Sequence, residues 1–219
     1  MVEQEFDVAM LGCGIMGSAM ARTAQRKGLR VIAWDRSLES ARSVGEGVTA
    51  VGDLQTAASK AHVVVTMLPD ADAVLEVMDQ QHGLDAVKPG CAWVQMATIG
   101  LNGIQRAQQL ANRRPGVLFV DAPVSGSKGP AQEGRLIILA STDASDLPLP
   151  VTRLFEALGQ RTMQLGKTGQ GTRMKLVLNA WLSQLMEGLA ETLAVADSLG
   201  VPAQQLRECL EGGPMGPHW

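Results

Sequence analysis

The chain has 219 residues, 46% of them hydrophobic and 19% charged, with a formal net charge of −3. That balance fits one large globular domain or about one and a half ordinary ones, and the weak negative charge argues against nucleic acid or a membrane surface as partner. No run of about 18 uncharged apolar residues is present, so no bilayer span is expected.

Phe6–Leu11 has a strand pattern and feeds Gly12-Cys-Gly14-Ile-Met-Gly17, and a helix is predicted over Met16–Lys27. Strand, Gly-x-Gly-x-x-Gly turn and helix, in that order, suit a dinucleotide pyrophosphate. Gly12 allows the tight turn, Gly14 lets the backbone approach the phosphates, and Gly17 lets the helix pack close to the strand. The helix N-terminus then offers unpaired N–H groups to the anion. Glycines also make ordinary turns, but here an acid, Asp35, ends the next predicted strand (Arg30–Asp35) about 18 residues past Gly17. Further along, Leu38–Val44 reads as helix, Thr49–Val51 as a short strand and Leu54–Lys60 as helix. His62–Leu68 is an apolar strand stopped by Pro69, with Asp70 or Asp72 capping a helix that runs to Asp79. Cys91–Met96 reads as strand, Asn102–Arg113 as helix, and Val117–Asp121 and Arg135–Ser141 as strands. Ala144–Leu158 is mostly helix, with Pro148 and Pro150 in or before its first turn, and Arg161–Leu165 is the last strand. Near-continuous apolar strands alternating with helices predict a parallel sheet covered on both faces, mixed at one edge near residues 117–141.

The pattern changes after Leu165. Gly166–Gly171 reads as a loop and Thr172–Leu199 as one helix of about 28 residues, about 42 Å long. Its apolar residues Met174, Leu178, Trp181, Leu182, Leu185, Leu189 and Leu193 cover much of its circumference, which predicts burial on several sides. Gly200 is a natural stop, Ala203–Leu210 a second helix, and residues 211–219 a loop. Two helices do not close a domain, so further chain or another subunit is expected to cover them. The organisation expected is a domain over residues 1–165 and the beginning of a second over 166–219. Cys13, Cys91 and Cys209 are far apart and His62, His82 and His218 are scattered, so buried thiols and no metal site are expected. The thiols, with an acidic start (Glu3, Glu5, Asp7) unlike a secretory leader, point to the cytoplasm.

Two constellations carry chemistry. Asp121-Ala-Pro-Val-Ser125-Gly126-Ser127 follows a strand, and open α/β sheets bind ligands beyond the carboxyl ends of their strands. Ser125, Gly126 and Ser127 offer amides and hydroxyls to a carboxylate, although the same composition also makes a plain turn. Lys175 and Asn179, four apart, share one face of the long helix. A lysine in such apolar surroundings either snorkels to solvent or donates a proton to a carbonyl oxygen as hydride arrives.

Gly12-Cys-Gly14-Ile-Met-Gly17, Asp121-Ala-Pro-Val-Ser125-Gly126 and Gly169-Gln-Gly171-Thr-Arg-Met-Lys175-Leu-Val-Leu-Asn179 together resemble the three signatures of the β-hydroxyacid dehydrogenases. Residues 125–140 are most similar to the glyoxylate/succinic semialdehyde reductase branch. The resemblance implies a Rossmann-type, doubly wound, mostly parallel sheet, followed by a long interdomain helix and the start of an all-α domain that the family continues further. It implies Lys175 as general acid/base, with Ser125, Gly126 and Asn179 holding the substrate carboxylate, Ser127 beside them, and Thr98 near nicotinamide and substrate. The substrate implied is a small carboxylate-bearing aldehyde or hydroxy acid, handled in the reductase direction by a homodimer or homotetramer. The cofactor site is expected to comprise Gly12, Gly14, Ile15, Met16, Gly17, Asp35, Arg36, Ser37, Met67, Leu68, Pro69 and Thr98. One departure stands out: the family reads Asp-Met-Ser-Thr where this chain reads Gln95-Met-Ala-Thr98, so Ala97 lacks a hydroxyl.

Asp35 suits a ribose 2′-hydroxyl and so NAD, whereas Arg36 can grip a 2′-phosphate and Ser37 adds a hydroxyl. The related reductases read Asn-Arg-Thr here and use NADPH, which tips the expectation from NAD to NADP. The alternative to an enzyme is a truncated, catalytically weak dinucleotide-binding or dimerisation module. An imine reductase on the same scaffold is disfavoured by Lys175, which that group lacks.

Overall fold

In the computed structural model, which describes residues 5–211, six strands form one all-parallel sheet. They are β1 (Phe6–Leu11), β2 (Val31–Trp34), β3 (Val48–Val51), β4 (Ala61–Thr66), β5 (Ala92–Gln95) and β6 (Leu118–Asp121), in the order β3-β2-β1-β4-β5-β6. The crossovers carry α1 (Ile15–Arg26), α2 (Leu38–Arg42), α3 (Leu54–Ser59), α4 (Ala71–Leu75), α5 (Gly83–Ala86) and α6 (Gly100–Ala111). A π-helical turn, Glu76–Gln80, continues α4.

The strands are apolar throughout because both faces are covered. Alternate residues enter two cores. Val8, Met10, Val63 and Val65 pack with Met20 and Ala24 of α1, whereas Ala9, Leu11, Val64 and Trp93 pack with Leu54, Met78 and Leu110.

The expected mixed edge is a second sheet. β7 (Val124–Ser125) runs antiparallel to β8 (Leu136–Ala140), which runs parallel to β9 (Gly159–Gln164). α7 (Lys128–Glu133) joins the first pair and α8 (Leu149–Leu158) the second, with Pro148 at the N-cap of α8. The sheets meet at one antiparallel bridge, Asp121 to Ser141, with N–H···O distances of 2.9 and 2.7 Å. Pro123 has no N–H to extend the ladder of the large sheet, so the chain leaves it there. The sequence pattern does not show α5 and β7, which are too short for a period, or α7, which buries only Ala131.

α9 (Gln170–Ser198) and α10 (Ala203–Leu210) complete the described elements. α9 ends in a Schellman arrangement. Gly200 has φ +69°, Val201 N–H donates to Ala196 O at 2.8 Å, and Gly200 N–H donates to Asp197 O at 3.0 Å. The chain divides into two units, one ending at Leu176 and the other beginning at Val177. In the second unit the expectation of burial on several sides is corrected: Trp181 and Leu182 are each 56% exposed and Met186 is 61% exposed. Among the described residues of that unit α10 packs along α9, where Leu189 and Leu193 line a groove with Leu206 and Leu210. Most of the loop expected over 211–219, including His218, lies outside the described residues, as does Glu3. Among the described residues no helix is long and apolar enough to cross a membrane.

Of the two candidate caps for α4, Asp70 is the one used. Its carboxylate accepts from Ala73 N–H at 2.8 Å, while Asp72 makes an exposed ion pair with Arg106. Asp70→Ala is expected to cost about 1 kcal/mol and lower Tm by about 2–4 °C. Asp72→Ala should leave Tm nearly unchanged, and thermal unfolding followed by circular dichroism checks both.

Candidate functional site

Five strands of the large sheet end in register. Trp34 pairs with Leu11, Leu11 with Thr66, Thr66 with Gln95, and Gln95 with Asp121. The ladder runs one residue further, through Gly12 N–H to Trp34 O, Met67 N–H to Leu11 O, Met96 N–H to Thr66 O and Ala122 N–H to Gln95 O, at 2.8–3.0 Å. Residues 12–17, 35–37, 67–69, 96–98 and 122–127 therefore leave the sheet along one edge. The strand order reverses between β1 and β4, where open α/β sheets form their ligand crevice.

The glycine turn is fixed sterically. Gly12 has φ +101°, and a Cβ there would run into the Met67 carbonyl. A Cβ on Gly17 would overlap the Gly12 carbonyl oxygen, whereas nothing lies within 4 Å of one built on Gly14. Gly14 is the N-cap of α1 and provides no side-chain cap, so the first amides of the helix, from Ile15 through Gly17, have no side-chain acceptor there. Ile15 projects outward, 72% exposed. Asp35 ties the turn to β2: its Oδ2 accepts from Cys13 N–H at 2.8 Å and its Oδ1 from Ser37 N–H at 3.0 Å. The Ser37 hydroxyl caps α2 by accepting from Ser40 N–H. Arg36 is exposed and has no hydrogen-bond or ion-pair partner among the described residues. Asp35, Arg36, Leu68 and Pro69 line a pocket of about 130 Å³ together with Ala73 and Glu76. Sequence reasoning missed Ala73 and Glu76. Glu76 opens the π-helical turn, a feature common at functional sites but silent in a periodicity. The open space over Gly14, the uncapped amides and this pocket fit a dinucleotide.

On the other side of the crevice, Thr98 is exposed at the end of a segment held by buried polar side chains. Trp93 Nε1–H donates to Thr66 Oγ1 at 2.9 Å, the Thr66 hydroxyl donates to Gln95 Oε1 at 2.7 Å, and Gln95 Nε2–H donates to Ala97 O at 2.7 Å. Ala97, where a hydroxyl was missed, turns its side chain into the core and is 3% exposed. Ser125 is half-buried, Gly126 and Ser127 are exposed, and Ser127 starts α7 without spending its hydroxyl on a cap.

Lys175 is half-buried and lacks a hydrogen-bond or ion-pair partner among the described residues. Burial holds its ammonium below the ordinary lysine pKa. Asn179, one turn further along α9, is exposed and belongs to the second unit. A residue that sequence reasoning passed over is Asp121, which is fully buried and accepts three side-chain or backbone hydrogen bonds from Ser141 and Thr172. Burial raises its pKa and these bonds oppose the rise.

Residues 7–166 match the family model described as the NAD binding domain of 6-phosphogluconate dehydrogenase. The chain is 32% identical over 211 residues to glyoxylate/succinic semialdehyde reductase 1 of Arabidopsis thaliana, an alignment covering 95% of this chain and 72% of that protein. It is 30% identical over 211 residues to glyoxylate/succinic semialdehyde reductase 2, chloroplastic, of the same plant. There the alignment covers 94% of this chain and 58% of the relative's length. Among solved structures, 3-hydroxyisobutyrate dehydrogenase of Mycobacterium tuberculosis with L-serine matches with a TM-score of 0.80 at 26% identity, covering 97% of this chain and 72% of that one.

Burial, then the nearby Asp35 carboxylate, pushes the Cys13 thiol up to about 12. Alkylation of the folded protein at about pH 8 should therefore modify exposed Cys209 and spare Cys13, as read by peptide mass spectrometry. An unfolded thiol titrates near 9.0. The neutral buried thiol thus contributes stability that is present below that pH and lost as pH rises toward about 12.

Proposed function

The chain belongs to the β-hydroxyacid dehydrogenase family, and from that premise we propose that it is an NAD(P)-dependent oxidoreductase interconverting a small hydroxy acid and its aldehyde or keto acid. What supports the reading is one sheet edge that carries the glycine turn, the Thr98 segment and the Ser125–Ser127 turn, with the start of the Lys175 helix hydrogen-bonded to Asp121 at the same edge. A nicotinamide cofactor, when bound, would supply hydride to the carbonyl carbon. The amides of residues 14–17 would hold the pyrophosphate, Asp35, Arg36 and Ser37 the adenosine ribose, and Met67, Leu68 and Pro69 would also contact the cofactor. Ser125, Gly126 and Asn179 would bind the substrate carboxylate, assisted by Ser127, and Thr98 would contact the nicotinamide. Lys175 donates a proton to the carbonyl oxygen during reduction and takes it back in the reverse direction. Its burial brings that exchange closer to neutral pH than a solvated lysine allows.

We favour the reductase direction, with NADP over NAD. Among the described residues Arg36 has no partner competing for its guanidinium, whereas both oxygens of Asp35 already accept backbone N–H groups. Residues 1–165 make the cofactor domain, and 166–219 contribute to the substrate site and to association as a homodimer or homotetramer. A cytoplasmic setting remains part of this reading. A weakly active dinucleotide-binding or dimerisation module is the second reading, favoured by the exposed apolar residues of the second unit.

Glyoxylate and succinic semialdehyde are the substrates to try, and Lys175→Ala is expected to lower kcat by about 10²–10⁴-fold. The dissociation constant for NADPH should change by less than about two-fold, and turnover that survives the substitution removes Lys175 from the chemistry. Absence of turnover with NADPH still bound supports the second reading. In fluorescence titrations, Arg36→Ala should weaken NADPH by about ten-fold or more while NADH stays nearly constant. Equal losses for the two cofactors would exclude a contact to the 2′-phosphate.

A further inference from the structure

The helix that carries Lys175 begins at a buried carboxylate from another element. Asp121 Oδ2 accepts from Thr172 N–H at 2.9 Å and from the Ser141 hydroxyl at 3.0 Å, and Oδ1 accepts from the Thr172 hydroxyl at 2.8 Å. The Ser141 oxygen in turn accepts from Gly171 N–H at 2.9 Å. The first-turn amides of α9 are thus satisfied by side chains from the end of β6 and from the residue after β8, and Asp121 and Ser141 are themselves bridged through their backbones. Gly171 fits so closely that a Cβ would overlap the Leu139 carbonyl oxygen. Thr172 is 0% exposed, and Lys175 follows it by three residues, nearly one helical turn on the same side.

We propose that Asp121, acting through Thr172 and Ser141, is a positioning residue that fixes where the Lys175 ammonium stands, an inference that rests on Lys175 as the proton donor. A helix anchored only by apolar packing slips or rotates at little cost, because dispersion and burial have no preferred direction. Two directional bonds from Thr172 to one carboxylate, and a third from Gly171 N–H to the Ser141 hydroxyl, fix both the rotation and the height of the first turn. The negative charge also faces the positive end of the helix dipole. A displacement of about 1 Å at a proton-transfer site costs about 100-fold in rate, so this anchoring bears on turnover as well as on stability.

The test uses the full chain and the variants Thr172→Val, Thr172→Ser and Asp121→Asn. Lys175 acylation by an amine-specific reagent is followed against pH by peptide mass spectrometry without cofactor, beside kcat, KM and thermal unfolding. Thr172→Val keeps the side-chain volume and loses the hydroxyl. Its Lys175 profile is expected to move to higher pH, toward ordinary lysine, and kcat to fall about 10–100-fold with KM nearly constant. Thr172→Ser restores the hydroxyl and should return both readouts to the parent values. The proposal is overturned if Thr172→Val folds, with or without a lower Tm, and leaves the Lys175 profile unmoved. Should Asp121→Asn fail to fold, Thr172→Val still decides. Should the parent chain turn over no acid aldehyde, the proposed activity fails, while the labelling profile judges the anchoring on its own.

Discussion

The common register of the parallel strands is the constraint on which the rest of the molecule depends. Because β2, β1, β4, β5 and β6 end in one row, five loops emerge together and compete for the same space. The chain meets this crowding with small residues where backbone faces backbone. Gly12 lies against the Met67 carbonyl and Gly17 against that of Gly12, so β1, the turn after β4 and α1 approach one another with no side chain between them. One methyl group there would push α1 away from the sheet. The amides that α1 presents to an anion would then shift as well.

Two buried polar systems stabilise the other side of the same edge. Trp93, Thr66 and Gln95 form a chain of bonds that ends on the Ala97 carbonyl, and Asp121, Ser141 and Thr172 form a closed set at the start of α9. Buried polar groups are costly unless satisfied and specific when they are. Each system fixes a segment that apolar packing alone would leave free to slide. Gln95 suits its place because an amide both accepts and donates: it takes the Thr66 hydroxyl proton and gives its own to Ala97 O. An aspartate, which the family resemblance leads one to expect at this position, accepts only while ionised.

What the sequence made legible follows the range of the interactions involved. The glycine turn was readable because its residue types and spacing fall within six residues, although the Met67 carbonyl that crowds Gly12 lies on a distant segment. The parallel sheet was readable from apolar runs that need cover on both faces. Asp121 was quoted only as the first letter of a motif, since its partners lie 20 and 51 residues away. Ala97 seemed to remove a hydroxyl from the site, yet that side chain faces the core, and strand alternation does not settle direction once the strand has ended at Gln95. The apolar residues of α9 suggested burial because composition reports what a helix is able to bury and says nothing of what lies beside it.

Asp35 shows how position and role separate. Its place at the end of β2 is where an acid meets a ribose hydroxyl, and on that ground alone it argues for NAD. In the fold, the same carboxylate holds the glycine turn through Cys13 N–H and opens the next turn through Ser37 N–H. Each oxygen keeps a second lone pair, so a ribose hydroxyl is still able to donate to it. Its charge, however, is already shared between two backbone dipoles, which weakens its repulsion of a neighbouring phosphate. Arg36, one residue on and without a partner among the described residues, carries the undiluted charge of the pair. The acid that marks the position in the sequence is thus engaged by the fold, while the neighbouring guanidinium has no partner among the described residues.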